Sequence, residues 1–249
     1  MKKTLYTIGD SWTQGYDLKN PKEECYPYLL SKKLDCDLIN EAKPAASNDW
    51  MFRKSVEWIT TNDTSNIHTF IVGWSQPDRR EENFNFYHGG APKYERINYA
   101  DNTISNWISD NLSNEKLSNI KSFTYIYTLQ EILKKNNINY LFYFPWDPIL
   151  LQDDWYEENI KEYVHDIYLS IDLDYCVGPE FDGERPVPID ELRHPTDVEQ
   201  TWICNKLYGD FPPSYNLLKE NSFLSGEVHP TRTNKLNLSL YSNMEEIVD

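Results

Sequence analysis

The sequence predicts an α/β fold, a flavodoxin-like three-layer sandwich around a central, mostly parallel sheet of about five strands. Three observations carry that expectation. Short apolar, β-branched runs alternate with stretches of helical periodicity, the order that yields parallel strands joined by crossover helices. The early strands run into loops of small or turn-forming residues, as at Gly9-Asp10-Ser11 and Gly73-Trp74-Ser75. No internal repeat, low-complexity tract or Gly/Ser linker interrupts the 249 residues. One domain over residues 1–249 is expected, with insertions near 78–117 and 179–220.

Residues 5–8 favour an extended segment, and Gly9 permits a sharp turn, so Ser11 falls beyond the carboxyl end of the first strand. Ligands bind at that edge in open α/β sheets. Taken alone, Gly-Asp-Ser reads equally well as a turn with a helix cap. Residues 24–34 carry Tyr28, Leu29, Leu30 and Leu34 on one helical face, and residues 37–40 form a short second strand. A loop over 43–49 leads to a helix over 50–60, with Ser47, Asn48 or Asp49 as its cap. Residues 67–72 are apolar enough for a buried third strand. After the first insertion a helix over 120–135 precedes a strand over 139–144, stopped by Pro145 and followed by Trp146. A helix over 155–170, a strand over 172–177, a short helix over 198–206 and a terminal helix over 234–247 complete the chain.

Composition narrows the function. With 24 Lys+Arg against 40 Asp+Glu the net charge is −16, which excludes a nucleic-acid partner needing clustered cations. The apolar run after Met1-Lys2-Lys3 is too short for a signal-peptide core, and no stretch is long enough to span a membrane. A cytoplasmic or virion-associated protein is the expectation. Cys25, Cys36, Cys176 and Cys204 lack metal-site spacing and read as buried or free thiols. The five histidines show no zinc-binding spacing, so neither metal nor cofactor is expected.

A serine hydroxyl becomes nucleophilic when a base takes its proton, and the base needs a carboxylate or carbonyl to fix its tautomer. Ser11 comes from the first loop, His229 stands before the terminal helix, and Glu227 lies two residues before that histidine. With Gly9-Asp10-Ser11 after the first strand and His229-Pro230 before the last helix, the chain resembles the SGNH (GDSL) hydrolases. The resemblance implies Ser11 as nucleophile, His229 as base and Glu227 as its orienting partner. It also implies an oxyanion site from the N–H groups of Ser11 and Ala45 and the hydroxyl of Ser75.

This chain departs from that pattern in three places. The glycine of the second block falls on Ala45 or Ala46, Ser75 stands where the third block has asparagine, and Gly226 occupies the place of the aspartate three before the histidine. Trp12, Asn48, Trp74, Arg79 and Trp146 are candidates for substrate contact, since aromatic faces suit sugar rings and acyl groups. For Arg79, the ordinary reading is a solvated charge run over residues 78–82. His194-Pro195-Thr196-Asp197 repeats the His-Pro-Thr of the last block, but it ranks behind His229 for want of a terminal helix after it. His68 reads as structural, and His88 and His165 as solvated. The expected activity is a serine esterase removing a small acyl group from a small-molecule or carbohydrate ester. The alternative is a binding or structural protein that keeps the fold without catalysis. A nucleotide-binding module is disfavoured because the first loop has no glycine-rich phosphate cradle.

Overall fold

The computed structural model describes residues 2–77, 79, 115–145, 167, 170–178 and 193–209. The chain divides into two compact units, Met1–Phe211, which holds all of the described residues, and Pro212–Asp249.

Within the described residues five strands form one parallel sheet. They are β1 (Thr4–Gly9), β2 (Asp37–Asn40), β3 (Ile67–Gly73), β4 (Tyr140–Tyr143) and β5 (Cys176–Val177), in the order β2-β1-β3-β4-β5. Parallel neighbours need crossovers: α1 (Ser11–Gln14), α2 (Pro21–Glu24) and α3 (Tyr26–Lys33) lie between β1 and β2, α4 (Asn48–Thr61) between β2 and β3, and α5 (Glu115–Lys135) between β3 and β4, while α6 (Asp197–Gly209) follows β5. Strand order reverses at β1, so Ser11 leaves the sheet at a switch point. The central strands are buried on both faces, as their unbroken apolar runs require. Tyr6 and Phe70 stack at 4.3 Å between ring centroids, with Trp58 of α4 against both.

Several boundaries differ from the sequence reading for local reasons. The helix expected over 24–34 is broken at Cys25, whose extended backbone (ψ 148°) separates α2 from α3, and each of these helices starts with a proline at its first or second position. The helix expected from residue 120 begins at Glu115, inside the span assigned to the first insertion. The strand expected over 172–177 shrinks to Cys176–Val177 behind a 3-10 turn, Leu173–Tyr175, because Asp172 directs its N–H to the Gln130 side chain at 2.7 Å rather than into a ladder. The helix expected over 198–206 extends to Asp197–Gly209. Its start is a capping box: the Thr196 N–H donates to Glu199 Oε2 at 2.7 Å, and the Glu199 N–H donates to Thr196 Oγ1 at 3.4 Å.

The carboxyl edge of the sheet is tightly closed over β1 and β3. A Cβ at either Gly9 or Gly73 would overlap Thr13 Oγ1, so both strands must end in glycine for α1 to sit there. Tyr26 OH donates to the same Thr13 oxygen at 3.1 Å, tying α3 to α1. Burial pushes the Tyr26 hydroxyl well above its ordinary titration range, so it remains a donor. Among the described residues no helix is long and apolar enough to cross a membrane.

Candidate active site

The turn after β1 is held by Asp10. Its Oδ1 accepts the Trp12 N–H at 3.0 Å, capping α1, and its Oδ2 accepts from Ser75 Oγ at 3.1 Å and Arg79 Nη1 at 2.8 Å. The Asp10 side chain is fully buried, so the carboxylate depends on these charge-assisted bonds. Arg79, whose side chain is 25% exposed, thus turns back onto the site instead of standing in a solvated charge run.

Ser75 is fixed as firmly. Asn48 Oδ1 accepts its N–H at 2.8 Å, and Asn48 Nδ2 donates to its carbonyl at 3.0 Å and to Ser122 Oγ of α5 at 3.1 Å. This clamp exists because Ser47 caps α4, accepting the Trp50 N–H at 3.2 Å and bringing Asn48 in at the first turn. The Ser75 hydroxyl proton is directed at Asp10 rather than at an oxyanion, and the Asn48 amide is engaged at both ends rather than open to a substrate.

Ser11 is 5% exposed at the start of α1, and its carbonyl accepts the N–H groups of Gly15 and Tyr16 at 3.1 and 3.0 Å. Its hydroxyl has no hydrogen-bond partner among the described residues. Ala45 sits in the left-handed region (φ 50°), the conformation that favours glycine, and its N–H has no described acceptor. Its neighbour Ala46 is buried.

The aromatic residues are placed differently from the expectation. Trp12 is 4% and Trp74 1% exposed, and Trp74 packs edge-on against Phe142 at 5.6 Å. Both indoles are buried, Trp12 on α1 and Trp74 in the loop after β3. Trp146, Glu227 and His229 lie outside the described residues, as do His88 and His165. His68 keeps a structural place at the start of β3, with Nδ1 2.8 Å from Thr69 Oγ1. All four cysteines are buried free thiols, and burial pushes Cys36 and Cys204 up to about 11.

Two features escape a reading of local pattern. Gln200 of α6, fully buried, accepts the Tyr26 N–H on Oε1 at 2.8 Å and donates from Nε2 to the Trp12 carbonyl at 3.0 Å, so α6 is bolted to the Ser11 turn. His194, just before α6, has Nδ1 2.8 Å from Asp17 Oδ2, and its ring lies 4.9 Å from that of Tyr16. The signal that could have raised both is the Thr196-x-x-Glu199 pattern, which announces a helix directly behind His194. His194 ranks behind His229 in the sequence for want of a terminal helix after it; the helix that does follow it, expected over 198–206, starts at Asp197.

The parallel five-stranded sheet with its helices is an α/β fold, and a serine stands on the turn after β1. Among solved structures, the chain is similar to the psychrotrophic esterase EstA from Pseudoalteromonas sp., determined in a form inhibited by monoethylphosphonate. The match has 14% identity and a TM-score of 0.50, covering 88% of this chain and all of the other (100%). It is also similar to TesA, with 9% identity and a TM-score of 0.50 over 85% of this chain and 99% of that one. At such identity the likeness concerns the fold. No curated protein sequence matches the chain. The chain belongs to DUF6071, a family of unknown function, whose model matches residues 12–185.

Proposed function

We propose that this chain is a serine hydrolase of the SGNH type, an esterase that removes a small acyl group. The observation that carries the reading is Ser11 itself: a serine at the carboxyl edge of the sheet, on a turn anchored by buried Asp10, with a hydroxyl that no described group engages. Its close burial favours a short acyl group such as acetyl. The N–H groups of Ser11 and Ala45 are the oxyanion donors of this reading. By chain order His229, oriented by Glu227, is one candidate base; His194 is the other. A carbohydrate alcohol is the proposed leaving group, with Trp146, which follows β4 in the chain, as the remaining aromatic candidate for the sugar ring.

Hydrolysis of p-nitrophenyl acetate by wild type and Ser11→Ala tests the reading, alongside labelling by a fluorophosphonate. A rate loss of at least ~10³-fold in the variant, with labelling abolished, is expected. Equal rates in the two proteins, or a wild type that neither turns over nor labels, would remove Ser11 as nucleophile. A second reading, a non-catalytic binding protein on this fold, draws on Ser75: its hydroxyl faces Asp10 and its N–H faces Asn48, so neither is available to an oxyanion. The same labelling experiment separates the two.

A further inference from the structure

We infer that His194, oriented by Asp17, is the base that serves Ser11; this rests on the serine-hydrolase reading above. Three connections bring His194 to the Ser11 turn. Backbone bonds fold the chain after α1 back onto Ser11, whose carbonyl holds the N–H of Tyr16 at 3.0 Å. The Tyr16 ring then lies against the His194 imidazole, 4.9 Å between centroids and tilted by 54°. From the other side, α6 begins directly after His194, and its Gln200 grips the Trp12 carbonyl at 3.0 Å. The loop bearing His194 is therefore fastened to the serine turn on both flanks.

The chemistry at the ring is that of an oriented base. Asp17 Oδ2 lies 2.8 Å from Nδ1, so the carboxylate accepts the Nδ1–H and selects the tautomer whose Nε2 is a proton acceptor. Among the described residues nothing bonds to Nε2. Asp17 holds this position in the left-handed region (φ 70°), a conformation that is uncommon outside glycine and that aspartate tolerates better than most residues. His194 is 29% exposed, so water can reach it for deacylation.

The reaction then balances without any further reagent. Ser11 Oγ attacks the ester carbonyl carbon while its proton passes to Nε2 of His194. The tetrahedral adduct collapses, the carbon–oxygen bond to the alcohol breaks, and the alcohol leaves with the proton from Nε2. A water molecule attacks the acyl-Ser11 carbonyl, giving its proton to Nε2. Collapse of the second adduct releases the acid and returns the proton to Ser11 Oγ. His194 is the catalytic residue in this scheme, and Asp17 is a positioning residue.

The test compares His194→Ala, His229→Ala, Asp17→Asn and Ser11→Ala in the full chain, using p-nitrophenyl acetate and a fluorophosphonate. His194→Ala is expected to lose ~10²–10⁴-fold in kcat, and added imidazole to restore part of it, a rescue that a merely structural histidine would not show. Asp17→Asn should lower kcat ~10-fold or more with KM unchanged. The loss of kcat in His194→Ala should exceed that in His229→Ala by at least ~10-fold. Retention of the wild-type rate by His194→Ala, with collapse of His229→Ala to the Ser11→Ala level, overturns the inference and leaves the serine-hydrolase reading standing. Loss in His194→Ala without imidazole rescue and with a lowered melting temperature overturns it too. Failure of Ser11→Ala to lose activity marks instead the failure of the underlying reading.

Discussion

Removing the Asn48 amide should unfasten Ser75, and the size of the effect follows from the bonds it makes. In Asn48→Ala three groups lose their partner: the Ser75 N–H, the Ser75 carbonyl and the Ser122 hydroxyl. Ser75 and Ser122 are 6% and 5% exposed, so water reaches them poorly. A buried polar group left unsatisfied costs about 1–3 kcal/mol. The Ser122 hydroxyl loses only a bond that its oxygen accepts, which leaves the two backbone groups as the main loss, about 3 kcal/mol in sum. That is a large share of a total stability of about 5–15 kcal/mol, and it corresponds to a melting temperature lower by about 6–12 °C. Urea unfolding followed by tryptophan fluorescence, with thermal melts alongside, measures it. Asn48→Asp should lose at least as much, because it sets a carboxylate oxygen against the Ser75 carbonyl. A loss under about 1 kcal/mol in Asn48→Ala at unchanged m value would refute the argument, since it would mean that the Ser75 loop does not depend on this amide.

Two further outcomes follow from the geometry. Ala45→Gly relieves a left-handed conformation that costs about 1 kcal/mol, offset in part by the freer unfolded chain, and should match or exceed wild-type stability. Ala46→Gly, at a buried position, should lose about 1 kcal/mol; thermal melts in the reverse order would place the glycine-like position wrongly. Glu199 is held down to about 2, chiefly by its hydrogen bond from Arg193 and then by the Thr196 N–H and hydroxyl. A depressed folded-state pKa means that its stabilisation is full above about 4.5 and is lost as pH falls towards about 2. Glu199→Gln should therefore cost about 1–2 kcal/mol at pH 7, after allowance for screening of a partly exposed pair, and the gap to wild type should narrow in urea titrations near pH 3. A gap that stays constant from pH 6 to pH 3 would remove Glu199 as the anchor of α6.

The elements visible in the sequence are those whose signal is local. The strands β1, β2 and β3 and the helix α4 were legible because apolar runs, a Gly-containing turn and a Ser cap each act within a few residues. The break at Cys25 and the shortened β5 were not legible, since each depends on partners far along the chain, Gln200 for the N–H of Tyr26 and Gln130 for that of Asp172. The candidate site divides in the same way. Ser11 was found from its turn, whereas the partners of Asp10 were not, because Ser75 and Arg79 reach it only when β1 and β3 pair in register.

The sequence by itself determined the alternation of strands and helices, the serine beyond the first strand, and an acidic composition without clustered cations. Tertiary structure alone decided which side chains stand beside that serine. It turned the Ser75 hydroxyl towards Asp10, folded Arg79 onto a buried carboxylate, buried Trp12 and Trp74, and seated α6 so that His194 meets Asp17 and Tyr16. The reason is physical: periodicity and turn chemistry act through neighbouring backbone dihedrals, while hydrogen-bond partners at a sheet edge are chosen by strand register and helix docking, which bring together residues separated by much of the chain.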